Sequence, residues 1–459
     1  MGKGRGPLLW TAALVLGGSV VAGGVALLGA RGGTAPTVDV PRPDLPIAMR
    51  LPFGEQAPAF EDRSAVGLLK RGIGPDDVFR VEGRLIEDSP PPPGASPLMV
   101  VAVSGFPEKA VAGWRLAQPH GGGKSSHYGV LVPSGDYELL VFDDRDGNKV
   151  FERKELVGRS GEPEIIVGLY SATDGFTVRG PDLHVDRSSP RDAGLDVKLR
   201  LVERNPLVPL ASDFYAAGHS WDGLWRPLKF VEHTQGSFLY GVEEFDPKRA
   251  LVLFVHGSQG RPPEFGVLAA SLDPKRFQSW FVYYPSAFPI DKLGAMVADY
   301  VAMLGARAPK MVLVGHSMGG LVCRSAIKHL TGDPGRALPP SLKGYVSFAA
   351  PYGGMPSAAP TEDVPVGWPL SFLDVVPGSE FLRELYANPY PRGLPFHLFY
   401  GDGDHGKGDG TVELWSQLDH RMKEHATRLH GYHAGHVDIL ARPDSAMDFR
   451  GVVESLVKD

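Results

Sequence analysis

Cysteine is almost missing from this chain. Cys323 is the only one in 459 residues, which excludes an internal disulfide and any cysteine-based metal cluster. It falls in a helix-forming run, where a small buried hydrophobe is its ordinary role. An excess of charge of either sign is missing too. The net charge of −6 and the isoelectric point near 6.2 provide no electrostatic reason to expect a nucleic-acid partner. Charge is also absent from Gly6 to Ala30, a Gly- and Ala-rich run between Lys3, Arg5 and Arg31. A helix of that length crosses a bilayer core of about 30 Å, and its basic flank should stay in the cytoplasm, with everything after Arg31 outside. The run ends without a convincing small-x-small cleavage site, and no cysteine follows it. A signal-anchor over residues 1–33 is therefore preferred to a cleaved signal peptide, and a lipoprotein anchor is excluded.

What is present reads as a globular protein of two or three domains, with 43% hydrophobic and 22% charged residues. Residues 34–75 are rich in proline and read as an extended linker. Over residues 76–204 the pattern is one of short apolar runs divided by turn residues. Val78–Ile86 alternates like a half-buried strand; Leu98–Val103, Tyr128–Val132, Tyr137–Phe142, Lys149–Phe151, Glu164–Val167 and Leu195–Leu201 continue the series. Regularly spaced strands without helical periodicity predict an all-β antiparallel sandwich. Asp146-Gly147-Asn148 reads as the turn of a hairpin between two of them. The acidic residues Asp143, Asp144 and Asp146 around that turn raise the question of calcium, but the loop lacks the EF-hand order, its glycine too early and its glutamate not correctly spaced. It is read as a solvated hairpin tip, and no metal site is assigned.

After Asn205-Pro206-Leu207-Val208-Pro209 the pattern becomes α/β and continues over residues 205–459. Ala250–Val255 is a continuous apolar strand of the kind found inside parallel sheets. Trp280–Tyr284, Met311–Val314, Tyr345–Ala349 and Phe396–Tyr400 are further strands, and Gly236–Val242 an early one. Ile290, Leu293, Val297, Val301 and Leu304 mark an amphipathic helix between two of them. Strands alternating with helices predict a doubly wound, mostly parallel sheet, with the site at the carboxyl ends of the strands.

At one of those ends stands Gly315-His316-Ser317-Met318-Gly319, between an apolar strand and a helix-forming run. This is the G-x-S-x-G nucleophile elbow in its strand–turn–helix context. Side chains at Gly315 and Gly319 would collide with strand and helix, and the turn lifts the Ser317 hydroxyl above the sheet edge. Serine alone is a poor nucleophile and needs a base held by an acid. Asp409 in Asp409-Gly410-Thr411-Val412 is the preferred acid, with Asp402 and Asp404 as alternatives. His436, followed by an apolar helical start, is the preferred base and His433 the alternative; His420, His425 and His430 are read as surface histidines. The oxyanion is assigned to the N–H groups of Met318, after the nucleophile, and of Ser258 in His256-Gly257-Ser258. His256 itself is read as a buried residue tying down its own loop.

Residues from about Phe230 onward resemble bacterial lipases and esterases of the α/β-hydrolase superfamily. Besides the elbow and the His-Gly-x segment, Asp409-Gly-Thr-Val resembles the acid loop of bacterial lipases and of the lecithin–cholesterol acyltransferase relatives. Ala350-Pro351-Tyr352-Gly353-Gly354 resembles their PHGG loop, with Tyr352 in place of the histidine. Asp374-Val375-Val376-Pro377-Gly378-Ser379-Glu380-Phe381-Leu382 is similar to a segment of lipase-like and GPI inositol-deacylase-like hydrolases. The resemblance implies an α/β-hydrolase fold and carboxylic ester hydrolysis through an acyl-enzyme, without a cofactor, on ester or lipid substrates. Residues 353–395 form a Pro- and Gly-rich apolar insertion, read either as a cap or lid with an acyl pocket or as plain core. The region 76–204 resembles immunoglobulin-like or carboxypeptidase-regulatory-like sandwiches preceding enzymes in exported bacterial proteins, which names no binding partner for it. The protein is thus expected outside the cytoplasm, held at the bacterial cell envelope by its amino-terminal segment or secreted. Acyltransferase, thioesterase or peptidase activity on the same elbow, and an inactive surface binding protein, are the competing readings.

Overall fold

The computed structural model describes residues 38–42 and, between 79 and 458, all but 90, 92–94, 105–109, 120–124, 162–163, 168–176, 204–206, 235, 333–336, 361–368 and 404–405. The uncharged amino-terminal run lies outside the described residues. Among those described, no helix is long and apolar enough to cross a membrane.

The amino-terminal half is built of strands: β1 (Val38–Arg42), β2 (Phe79–Glu87), β3 (Met99–Ser104), β4 (Ala110–Leu116), β5 (Gln118–Pro119), β6 (Ser125–Val132) and β7 (Gly135–Phe142). They are followed by β8 (Val150–Glu152), β9 (Leu156–Arg159), β10 (Ile165–Val167), β11 (Thr177–Arg179), β12 (Leu183–Val185) and β13 (Lys198–Glu203). One sheet runs β10-β7-β3-β4, with β9 also on β7; a second runs β11-β2-β6-β5, with β12 also on β2; a third is β1-β13-β8. Alternation along β3 and β7 decides the layering. Val100, Ala102, Leu139 and Val141 share a core with Phe79, Val81 and Val130 of the second sheet. Met99, Val101, Val103, Leu140 and Phe142 face the other way, onto Phe151, Leu195, Val197 and Leu199. A strand buried on both faces must be apolar throughout, which is why Leu98–Val103 has no polar alternation.

Two expectations change here. The β1–β13, β11–β2 and β12–β2 pairs are parallel, so the region is not the purely antiparallel sandwich expected, and part of the presumed linker is strand β1. Nor do β7 and β8 form a hairpin: β7 pairs with β3, β9 and β10, and β8 with β13. The turn signal around Gly147 is local, whereas β9 competes for the same edge of β7 and wins it. Asp143–Lys149 is therefore a crossover between sheets.

The carboxyl-terminal half centres on a sheet of β14 (Leu239–Gly241), β15 (Ala250–Val255), β16 (Phe277–Val282), β17 (Met311–His316), β18 (Leu342–Phe348), β19 (Phe396–Gly401) and β20 (Arg428–Tyr432). Its order is β14-β16-β15-β17-β18-β19-β20, with only β14 antiparallel to its neighbour. The expected mixed α/β architecture with a mostly parallel sheet is what the chain adopts. The helices are α1 (Ala217–Trp225), α2 (Pro227–His233), α3 (Gly266–Ser271), α4 (Ile290–Gly305), α5 (Met318–Gly332), α6 (Leu370–Asp374), α7 (Glu380–Ala387), α8 (Leu414–Gln417), α9 (His420–Lys423) and α10 (Pro443–Leu456). Leu251, Leu253, Met311 and Leu313 point into the core on one face of the sheet, and Val252, Phe254, Val312 and Val314 into the core on the other. The chain steps from β15 outward to β16 and back across to β17, so the order reverses between β15 and β17. In open parallel sheets the crevice opens at such a reversal.

Candidate active site

The tight turn at the end of β17 depends on three glycines. A Cβ on Gly315 would come within 2.6 Å of the Gly319 carbonyl, one on Gly319 would overlap the Val255 and His256 carbonyls, and one on Gly320 the Ala350 methyl group. Their absence lets the first turn of α5 press against the end of β15. Ser317 pays for that geometry with a left-handed backbone, φ 53°, held by its N–H donating to the Phe348 carbonyl at 2.8 Å and its carbonyl accepting from Gly320 N–H at 2.8 Å. Gln259 and Ala349, on the loops after β15 and β18, also have positive φ (54° and 48°). Three of the four described non-glycine residues with positive φ thus stand at the carboxyl ends of three adjacent strands, as strain does at functional sites.

The base and acid positions meet. Nδ1 of His436 donates to Asp409 Oδ2 at 2.8 Å, and the carboxylate is buried. Its other oxygen accepts the N–H groups of Thr411 at 2.9 Å and Val412 at 2.7 Å, because the Asp409-Gly-Thr-Val turn folds its backbone back over the side chain. A carboxylate bonded at Nδ1 can only accept, so the proton of the neutral imidazole sits on Nδ1, leaving Nε2 as the basic nitrogen. The alternatives are engaged elsewhere. His433 is exposed and its Nδ1 bonds the Asp402 carbonyl at 2.8 Å; Asp402 accepts the Gly406 N–H at 2.6 Å. Asp404 lies outside the described residues. His430 is not the surface histidine expected: it is buried, stacked on Phe399 and bonded to His397 at 3.2 Å.

His316, the elbow residue just before Ser317, to which the sequence assigned no role, links strand β17 to His436. Its Nε2 donates to the His436 carbonyl at 2.9 Å, and the two rings lie 4.8 Å apart. Burial, and then the charge of His436, push the His316 imidazole down to about 3, so it stays neutral and keeps that proton. Glu264, in the turn after the β15 loop, is a second residue the sequence did not single out. Burial raises its carboxyl, while Arg261 and His436 act in the opposite sense, so a carboxyl group stands within electrostatic reach of His436.

The β15 loop is fixed from below. His256 Nδ1 donates to the Gly257 carbonyl at 2.7 Å, while Nε2 accepts the Tyr284 N–H at 3.1 Å. Tyr284 Oη donates to the His256 carbonyl at 2.5 Å, and burial pushes the imidazole down to about 4. The clamp presses Gly257 against the nucleophile: a Cβ there would lie 2.7 Å from Ser317 Cβ and 3.2 Å from Oγ. Among the described residues the amides of Ser258 and Met318 donate to no protein acceptor, and Met318 N–H opens helix α5, where negative charge is stabilised. The Ser317 hydroxyl keeps part of an 8% exposure and makes no hydrogen bond among the described residues. Contacts between nucleophile and base commonly close only around substrate.

Of residues 353–395, those described (all but 361–368) contribute several side chains to the core. Phe381, Leu382 and Leu385 of α7 are buried with the residues under the sheet, and Met355, Phe372 and Tyr386 pack against them. Ser379 accepts the Leu382 N–H at 3.2 Å and caps α7. Tyr352 is buried and hydrogen-bonded to Tyr345 at 2.7 Å; it supports α5 from beneath.

Comparison with solved structures finds similarity to a Bacillus licheniformis lipase, BlEst2 in mature form, at 17% identity over 48% of this chain and 98% of that one, with a TM-score of 0.37. Aspergillus fumigatus lipase B is similar at 14% identity over 47% of this chain and 55% of that one, TM-score 0.37. Est1E from Butyrivibrio proteoclasticus is similar at 12% identity over 48% and 93%, TM-score 0.35. No protein-family model and no curated protein matches the chain.

Proposed function

We propose that this chain is a serine hydrolase of the α/β-hydrolase kind that cleaves carboxylic esters. The observation that carries the reading is the Asp409–His436 hydrogen bond, formed across 27 residues of sequence beside a strained serine on a strand–helix turn. His436 Nε2 takes the proton from Ser317 as Oγ attacks the ester carbonyl, and the amides of Ser258 and Met318 receive the oxyanion. The imidazolium then protonates the leaving alcohol, which departs and leaves Ser317 acylated. Water, deprotonated by the same nitrogen, attacks the acyl carbon and frees the acid and the serine. Asp409 orients the ring and stabilises its positive charge throughout. The amino-terminal run would hold the enzyme at a membrane, with its substrates on the far side from the cytoplasm.

Two measurements test this together. The parent should be labelled at Ser317 by a fluorophosphonate and should turn over short p-nitrophenyl esters; Ser317→Ala should lose roughly 10⁴-fold or more in turnover and all labelling, with an unchanged circular-dichroism spectrum. A folded Ser317→Ala protein that retains turnover ends the proposal. Product analysis with a lipid ester, a thioester and a peptide supplied side by side identifies the bond cleaved.

A further inference from the structure

Away from the active site, in the crossover from β7 to β8, one oxygen each of Asp144, Asp146 and Glu155 lie within 4.8 Å of one another. Carboxylates at a hairpin tip ordinarily spread into water, but β7 and β8 do not pair, so this is not such a tip. Nor is Asp144 in water. Its residue exposure is 8%; Oδ2 accepts the Lys149 N–H at 3.0 Å, while Oδ1 is buried with no donor among the described residues. An orphaned, buried carboxylate oxygen is costly unless a cation meets it. The nearby arginine, Arg187, is committed instead to Asp143 and Glu87. Glu155 turns back over the loop, accepting the N–H groups of Arg145 at 3.0 Å and Glu152 at 2.9 Å. Three carboxylates are thus gathered within this loop.

We propose that Asp144, Asp146 and Glu155 hold a calcium ion that braces the crossover between the sheets. The donors are all hard oxygens on a loop, as calcium takes at about 2.3–2.6 Å, and magnesium's demand for a tight octahedron suits such a loop poorly. The order along the chain agrees once the count starts at Asp144. Asp144, Asp146 and Asn148 then stand at the first, third and fifth positions of a twelve-residue calcium loop, the Val150 carbonyl at the seventh and Glu155 at the twelfth. Glycine is indeed early, at Gly147, but the sixth residue, Lys149, adopts the left-handed backbone that glycine ordinarily supplies there, φ 62°. The sequence reading of a solvated tip with misplaced ligands is corrected on both counts.

The test is calorimetric titration of the chelator-treated full chain with calcium chloride. One saturable site per chain is expected, with a dissociation constant on the order of 10⁻⁴ M, and the melting temperature should rise by several degrees in saturating calcium. Asp146→Asn, whose exposed side chain leaves the fold intact, and Glu155→Gln should each weaken binding at least about ten-fold and abolish the melting shift. Absence of saturable binding up to about 10 mM calcium overturns the site, as does binding that both variants retain or that magnesium matches.

Discussion

At the scale of single residues, the machinery is a set of side chains whose protons have only one place to go. His316 acts through its neighbour. With its imidazole held neutral by burial, it presents an N–H to the His436 backbone, which in the proposed mechanism fixes where the base stands relative to Ser317. His316→Ala should lower kcat by roughly 10–100-fold with KM little changed, because a displaced base affects proton transfer more than binding. His316→Gln, which restores a donor at similar reach, should recover much of that loss. Equal losses in the two variants, or a loss confined to KM, would show that the ring only fills space. Asp409→Asn meets a different problem. An amide oxygen can still accept from Nδ1, but the carboxylate charge that stabilises the imidazolium is gone, and an NH2 rotamer would force the wrong tautomer. Turnover should fall by about 10³–10⁴-fold while fluorophosphonate labelling slows without vanishing.

At the scale of elements, the elbow helix α5 holds two neighbours at once. Its first turn abuts the end of β15 where Gly319 has no side chain, and backbone carbonyls line that contact. Backbone cannot step aside as a flexible side chain can. Gly319→Ala should therefore destabilise the protein by about 3 kcal/mol or more, read as a lower midpoint in urea unfolding. Further along, α5 carries Arg324, a buried guanidinium that donates to the carbonyls of Leu385, at 3.3 Å, and Asn388 at the end of α7. A cation at a helix carboxyl terminus satisfies the last carbonyls and the dipole together. Arg324→Leu leaves those carbonyls without a donor, and amide exchange within Glu380–Ala387 should accelerate by roughly ten-fold or more.

At the scale of the molecule, the insertion is docked through Asp374, whose carboxylate accepts the Ile290 N–H at 2.6 Å at the start of α4. Burial raises this carboxyl from 3.8 to about 6, the Ile290 bond opposing and Asp291 adding. Because the folded pKa lies above the unfolded one, folding is favoured by protonation, and that contribution is lost as pH rises from about 4 through 6. Asp374→Asn keeps an acceptor for Ile290 and removes the buried charge. It should gain on the parent by on the order of 2 kcal/mol at pH 8 and by little at pH 4, measured by denaturant unfolding at the two pH values. A gap independent of pH would mean that the carboxyl is not the group responsible.

Much of this was legible in one dimension because its causes are local. Ala250–Val255 and the helix from Ile290 follow from apolar period and length within a few residues. The elbow was readable through its strand–turn–helix pattern and through Gly315, whose Cβ would meet Gly319 four residues on; Gly319 and Gly320 answer to Val255, His256 and Ala350, far off in the chain. Strand β20 was not: Arg428-Leu429-His430-Gly431-Tyr432 has neither an apolar run nor clean alternation, and it is a strand because β19 offers it an edge. The hairpin at Gly147 failed in the opposite way, a strong local turn outcompeted by a distant partner for β7.

The sequence by itself determined the alternation of strand and helix, the position and cramped geometry of Ser317, and a short roster of acids and bases. Tertiary structure decided which members of that roster meet. Five histidines crowd the last forty or so residues, yet His436 alone among them bonds the Asp409 carboxylate, while His433 turns to the Asp402 carbonyl and His430 to His397. No local rule separates them, since a side chain's partner is set by where β19 and β20 end relative to β17. It also decided that Asp144 is buried, because the fate of a turn's carboxylates depends on which sheet its flanking strands join.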